Sequence, residues 1–319
     1  MSKIKYFLFS LPILAALILI FLSSGAASPE GAFTEIGSSA ESYYLPGSNA
    51  ITQNIRLPLL PESISFAGEE APLQYFDVRE GLHRELTSLC YLHGTMLYVM
   101  RLDGRYGATI KRILREEGIH EDFYYLCVTE SMLQPLVSPA NAAGYWQFLA
   151  GTAREYGLVV NSEIDERYNI EKSTRAAAAY LKKAYAEFGS WTLTAASYNT
   201  GIKNVKDRVE IQSLNNYYDM QFVEETSRYV FRILAHKLVM TNPADYGFII
   251  GKDELFPELE YKAVEVTGSI DNWSVFAAEH NTNFKLLKMY NQWIRSNKLD
   301  NTQRKTYIVQ VPVEGFRER

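Results

Sequence analysis

The sequence predicts a mainly α protein: an all-α body followed by a small α+β module. Three observations carry this. Apolar residues between Asp77 and Met240 recur at steps of three and four, the mark of helices with one buried face. No strand pattern of comparable strength interrupts them. After Tyr246 the pattern changes, and short alternating stretches enclose two short helical ones.

Taken in order, Leu82, Leu86, Leu89, Cys90, His93, Leu97 and Met100 form the first stripe, and Ile110, Ile113 and Leu114 mark a shorter helix stopping near Gly118. Glu171 to Phe188 places Ala177, Tyr180, Leu181, Ala184 and Phe188 on one face and ends at Gly189. Ser190 is a capping residue for a short helix through Tyr198. Val223, Val230, Ile233, Leu234 and Leu238 mark a last long helix before Pro243. In the tail, Tyr261 to Val266 and Tyr307 to Val311 read as strands, with helices at Trp273 to Glu279 and Phe284 to Tyr290.

Ahead of the body, Lys3 and Lys5 precede an apolar run from Tyr6 to Leu22 and then small residues. That order makes residues 1–27 a signal peptide or an uncleaved N-terminal anchor, since the run sits at the lower limit for a bilayer core of roughly 30 Å. An exported, periplasmic or cell-envelope location is expected, with membrane contact only through this segment if it stays attached. Residues 28–72, rich in Ser, Gly, Pro and Glu, read as a tether whose end, Ile55 to Phe66, lies along the next domain. The helical domain is expected over 73–250 and the small module over 255–319.

Composition excludes several classes. The chain has 319 residues, and 32 Lys+Arg against 37 Asp+Glu gives a net charge of -5, so nucleic acid is not an expected partner. Five His and two Cys give no metal-ligand cluster, and no Gly-rich phosphate loop occurs, so no cofactor is expected. Cys90 and Cys127 either pair or stay as buried thiols, and their places on apolar stripes favour thiols.

The segment from His120 to Pro135 carries the most chemistry. Phe123, Leu126, Cys127 and Glu130 follow the spacing i, i+3, i+4, i+7, and Pro135 stops the helix. A carboxyl at the end of an apolar stripe is partly withdrawn from water, which raises its pKa and keeps the proton a general acid needs. On this spacing alone a solvated or paired Glu is the commoner outcome.

The residues around it decide otherwise. Glu130-Ser131-Met132-Leu133-Gln134-Pro135 leads into Ser138-Pro139-Ala140-Asn141-Ala142-Ala143-Gly144-Tyr145-Trp146-Gln147-Phe148, followed by Gly151-Thr152-Ala153-Arg154. Ala195-Ala196-Ser197-Tyr198-Asn199-Thr200-Gly201 and Glu225-Thr226-Ser227-Arg228-Tyr229-Val230 come later. In this order the blocks resemble the soluble-lytic-transglycosylase domain, a lysozyme-like all-α fold, over roughly Leu73 to Met240. The resemblance implies that Glu130 is the single catalytic acid and base. It implies that Ser138 and Gln147 contact the muramoyl sugar and that Tyr198 hydrogen-bonds the catalytic carboxyl, with Asn199 beside it. Glu225 and Tyr229 match the final motif of the site, and Ser131, Tyr145 and Leu149 complete the implied substrate-binding set. Tyr145, Ser197 and Leu149 depart from the residues usual in relatives, which bears on the shape of subsites.

The implied reaction cleaves the β-1,4 bond between N-acetylmuramic acid and N-acetylglucosamine in peptidoglycan glycan strands, forming a 1,6-anhydro sugar. Hydrolytic glycosidases use two carboxylates, whereas here one suffices because the muramoyl C6 hydroxyl is the nucleophile. Glu155, Glu163, Asp165 and Glu166 read as a surface stretch with a loop. The alternatives are a hydrolytic muramidase and a non-catalytic wall-binding or assembly factor, with wall-processing proteins as further partners. The tail resembles a divergent lysin motif without its usual Gly-Asp-Thr start, Ser269-Ile270-Asp271 standing there instead. Glycan binding and simple support of the body weigh equally for it.

Overall fold

The first described elements form a two-residue hairpin, β1 (Ser65–Phe66) antiparallel to β2 (Glu69–Glu70). A computed structural model describes residues 56–318, so the leader and most of the tether lie outside the described residues. The tether gives way to packed structure before residue 72, because Ile64, Phe66 and Ala71 are already buried in the helical core. Glu69 anchors the hairpin: its Oε1 accepts from Trp191 N at 2.5 Å and its Oε2 from Thr192 N at 2.9 Å. A carboxylate at a helix N-terminus satisfies amides that have no partner within the helix.

The body consists of α1 (Phe76–Cys90), α2 (His93–Glu116), α3 (Phe123–Ser131), α4 (Ala150–Glu155), α5 (Ile170–Phe188), α6 (Trp191–Thr200), α7 (Ile202–Gln212) and α8 (Glu224–Thr241). Among the described residues no helix is long and apolar enough to cross a membrane. The caps follow the sequence signals closely. Gly118 lies just past α2 with φ +67°, and Gly189 caps α5 with φ +62°. Ser190 accepts from Leu193 N at the start of α6.

Two boundaries differ from expectation. The stripe read as one helix through Met100 breaks at Tyr91-Leu92, and α2 then runs unbroken through Gly104 and Gly107 to Glu116. These glycines serve packing: a Cβ at Gly104 would stand 2.7 Å from Leu255 Cβ, and one at Gly107 2.2 Å from Asp103 Oδ1. α3 ends at Ser131, ahead of Pro135, through left-handed Met132 and Leu133, and this turn buries Leu133.

Helices α1 and α8, the ends of the body, pack side by side, and Gly81 lets the Phe231 ring close on α1. Buried Glu85 on α1 is held from α8, where Arg228 Nε donates to Oε1 at 2.6 Å and Arg232 Nε lies 3.4 Å from Oε2. Asp122, at the start of α3, accepts from Lys237 Nζ at 2.8 Å and from Ala67 N at 2.7 Å. Cys90 and Cys127 are both free and buried.

The C-terminal module runs β3 (Tyr261–Val266), α9 (Trp273–Glu279), α10 (Phe284–Tyr290) and β4 (Tyr307–Pro312). β3 and β4 pair antiparallel from Tyr261↔Pro312 to Val266↔Tyr307. The segment leading to it is strapped to α2. Phe256 N donates to Arg101 O at 2.9 Å, and the Arg101 and Arg105 guanidiniums lie over the Phe256 ring at 4.1 and 5.1 Å. From Leu57 on, body and module form one unit.

Candidate active site

Glu130 stands at the last turn of α3, one step beyond the fully buried Phe123, Leu126 and Cys127. Its carboxyl keeps partial access to solvent but is closely surrounded by protein. Withdrawal from water raises its pKa to about 7, against a lowering by the hydrogen bond from Tyr229. The nearby Glu225 charge pushes it further up, and Arg232 pulls it down. One carboxyl therefore changes charge state near neutral pH, as general acid–base work requires.

The hydroxyl that donates to Glu130 Oε1 belongs to Tyr229 on α8, and not to Tyr198. Burial and the adjacent Glu130 charge hold the Tyr229 hydroxyl well above the usual tyrosine range, so it stays a donor. Tyr198 on α6 has another partner, donating to Trp146 O at 2.8 Å. The reason is packing: its ring lies edge-on to Tyr180 at 5.1 Å and to Phe148 at 5.9 Å, which carries the hydroxyl to the 145–148 turn. Tyr198 is still close enough for the Glu130 charge to raise its pKa, after burial. Asn199 Oδ1 accepts from Thr226 Oγ1 at 2.7 Å, tying α6 to α8 between Glu225 and Tyr229. Behind the acid, His236 Nδ1 lies 3.0 Å from Thr129 Oγ1, and burial lowers its pKa to about 4, so it adds no charge there.

Short-range hydrogen bonds shape the loop from Ser138 to Leu149. Ser138 Oγ accepts from Ala142 N at 3.1 Å, Ala143 N donates to Phe148 O at 3.0 Å, and Gly144 N donates to Leu136 O at 2.9 Å. Gln147 sits at φ +50°, uncommon for a residue with a Cβ. Its Nε2 donates to Gly144 O at 2.8 Å and Leu136 O at 3.1 Å, so its amide oxygen is the group left to present. Leu149, the residue before α4, is half exposed.

Two implied substrate contacts are not at the surface. Ser131 is buried, and its hydroxyl donates to Cys127 O one turn back in α3. Tyr145 is 2% exposed. Its hydroxyl donates to Gln292 Oε1 of the C-terminal module at 3.0 Å, and its ring packs edge-on to Tyr106 at 5.2 Å. Tyr145 thus lines a cavity of about 300 Å³ between α2 and the module, whose lining does not include Glu130.

The stretch read as surface contains a residue the motifs did not single out. Asp165, Glu166 and Arg167 are all buried. Arg167 grips Asp165 with Nε at 2.9 Å and Nη2 at 2.7 Å, while Nη1 donates to Asn141 O at 3.0 Å and Phe148 O at 2.9 Å. One guanidinium thus ties both ends of the site loop. Charged residues in short succession look solvated until the fold supplies their partners.

Residues 108–221 match the family described as the transglycosylase SLT domain, and residues 262–315 match the soluble lytic transglycosylase C-terminal LysM-like domain. Each match covers less than half of the chain. Among individual proteins it is similar to membrane-bound lytic murein transglycosylase D of Escherichia coli strain K12, at 29% identity over 180 residues. That match covers 53% of this chain and 38% of the relative. The same protein of Escherichia coli O6:H1 matches to the same extent, so the chain spans well under half the length of these relatives. A solved structure of an inactive mutant of lytic transglycosylase Slt from Pseudomonas aeruginosa aligns at TM-score 0.36 and 20% identity, covering 56% of this chain and 35% of that one.

Proposed function

We propose that the chain cuts the β-1,4 bond between N-acetylmuramic acid and N-acetylglucosamine in peptidoglycan strands without consuming water. The observation that carries this is Glu130, a carboxyl raised to about 7 at the end of an apolar helix face with a tyrosine donor on it. Protonated Glu130 gives its proton to the bridging oxygen as the bond breaks. The ionised carboxylate, stabilised by Tyr229, then takes the proton from the muramoyl C6 hydroxyl, whose oxygen closes onto the anomeric carbon. Proton and electron pair balance, and the product carries a 1,6-anhydro end. In this reading Ser138 and the Gln147 amide oxygen meet the sugar, with Leu149 on the rim. The SLT match and the murein transglycosylase relative support this reading. An envelope location is supported by Lys3, Lys5 and the apolar run from Tyr6 to Leu22.

Mass spectrometry of digested peptidoglycan tests it. Anhydro ends are expected, and reducing muramic acid ends would overturn it.

One observation favours a second reading, hydrolysis of the same bond: the charge of Glu225, an exposed carboxylate on α8, reaches Glu130. Glu225→Gln separates the two. Under the proposal the variant still yields anhydro ends, and removing the Glu225 charge lowers the Glu130 pKa. Because the acid must be protonated, activity falls as pH rises through that pKa, so the alkaline limb moves to lower pH. Loss of all turnover in Glu225→Gln would favour the two-carboxylate hydrolase.

A further inference from the structure

We propose that the C-terminal module acts as the support that sets the substrate loop, with Arg167 as the positioning residue between them. The inference rests on the reading of Glu130 and the Ser138–Leu149 loop as the glycan-cutting site.

The module does not close its own core. The apolar cluster built from Trp273, Leu287, Ile294 and Val309 also contains Ala143, Ile164 and Tyr168 of the body, all buried. Ala143 belongs to the site loop itself, paired with Val137 on one side and Phe148 on the other. Tyr145, two residues on, donates to Gln292 of the module.

The polar contacts run the same way. Asp165 N donates to Trp293 O at 2.9 Å, and Arg295 N donates to Glu163 O at 2.7 Å. Ile164 pairs with Ile294, and Asp300 N donates to Glu163 Oε2 at 2.7 Å. These bonds fix residues 163–165 to the loop between α10 and β4. Asp165 then orients the Arg167 guanidinium through two bonds, and the guanidinium holds Asn141 O and Phe148 O. Module, Asp165, Arg167 and substrate loop form a continuous series of contacts. A detachable binding arm has a closed core and exposed neighbours; separating this module would strand paired backbone groups and uncover apolar surface.

Two variants of the full chain test it. Arg167→Lys keeps a cation beside Asp165 but lacks the planar fork that reaches the two carbonyls. KM for glycan strands is expected to rise about tenfold or more, with the alkaline limb of the pH profile unmoved, since small misplacement of binding groups has effects of that order. An unchanged KM, measured well below the unfolding temperature, would overturn the proposal. Ile294→Ala loosens the module's hold and is read by amide hydrogen exchange, which needs no turnover. Exchange at Ala143 and Gly144 is expected to quicken about tenfold while Ile233 to Val239 in α8 hold steady. Unchanged exchange in the loop, or equal quickening throughout, would overturn it. If the wild-type chain cuts no glycan, the reading of Glu130 fails and the exchange comparison still decides the module's role.

Discussion

Glu130→Gln will bind peptidoglycan strands and fail to cut them. The amide keeps the size of the side chain and can still accept the Tyr229 hydrogen bond, but it neither gives a proton to the leaving oxygen nor takes one from the C6 hydroxyl. Both proton transfers are lost together, so turnover should drop by at least roughly 10,000-fold. The same variant has an opposite effect on stability. The folded carboxyl holds its proton to about pH 7, against an ordinary value of 4.5. The folded chain therefore binds more protons than the unfolded one in that interval. Stability is full below pH 4.5 and falls as pH rises towards 7. Glu130→Gln escapes this loss, with a ceiling of roughly 3 kcal/mol that residual solvent contact reduces. Thermal unfolding of the two proteins at pH 8 and pH 4 checks the sign: the variant should melt higher at pH 8, and the gap should close at pH 4. A gap that persists at pH 4 would contradict the raised pKa.

Among the described glycines, Gly144→Ala should do the greatest structural damage. Gly144 has φ +79°, and its new Cβ would stand 1.9 Å from Arg167 O and 2.5 Å from Arg167 C. The atoms it would meet are all backbone, so no side chain can rotate aside. The residue pressed upon is the one whose guanidinium secures Asn141 and Phe148, so the loop is pushed from below and released from above. A loss of roughly 4 kcal/mol, with weakened glycan binding, is expected. Gly157→Ala is the control, because Gly157 shares the positive φ, at +86°, but meets nothing within 4 Å. It should lose about 1–2 kcal/mol through backbone strain alone. Matching unfolding midpoints for the two variants would mean that the loop accommodates the methyl group.

Much of this arrangement was legible in the residues because it depends on local rules. The four elements of the C-terminal module, the capping by Gly189 and Ser190, and the apolar face ending in Glu130 all follow from spacing and short-range chemistry. What stayed hidden depends on partners distant in the chain. Glycines 104 and 107 look like helix breakers until Leu255 and Tyr124 pack against α2. Asp165 and Arg167 look solvated because their partners come from other segments, Trp293 for the Asp165 amide and the Asn141 and Phe148 carbonyls for Arg167. Tyr198 and Tyr229 both lie in matched motifs, and only the crossing of α6 and α8 decides which hydroxyl meets the acid. Tyr145 sits inside the site motif, yet its ring belongs to the junction with the module.

The pairing of α1 with α8 has a consequence for how the chain comes to be folded. Glu85 and Arg228 are 143 residues apart, and the apolar face of α1, with Val78, Leu82 and Leu86, closes against the last helix of the body. At synthesis rates of about 5–20 residues per second, α1 waits on the order of ten seconds for its partner. Until then a carboxylate bound for the interior lacks its cations, which favours the open chain over any premature compact state. The contact that completes the body is thus among the last the chain can make.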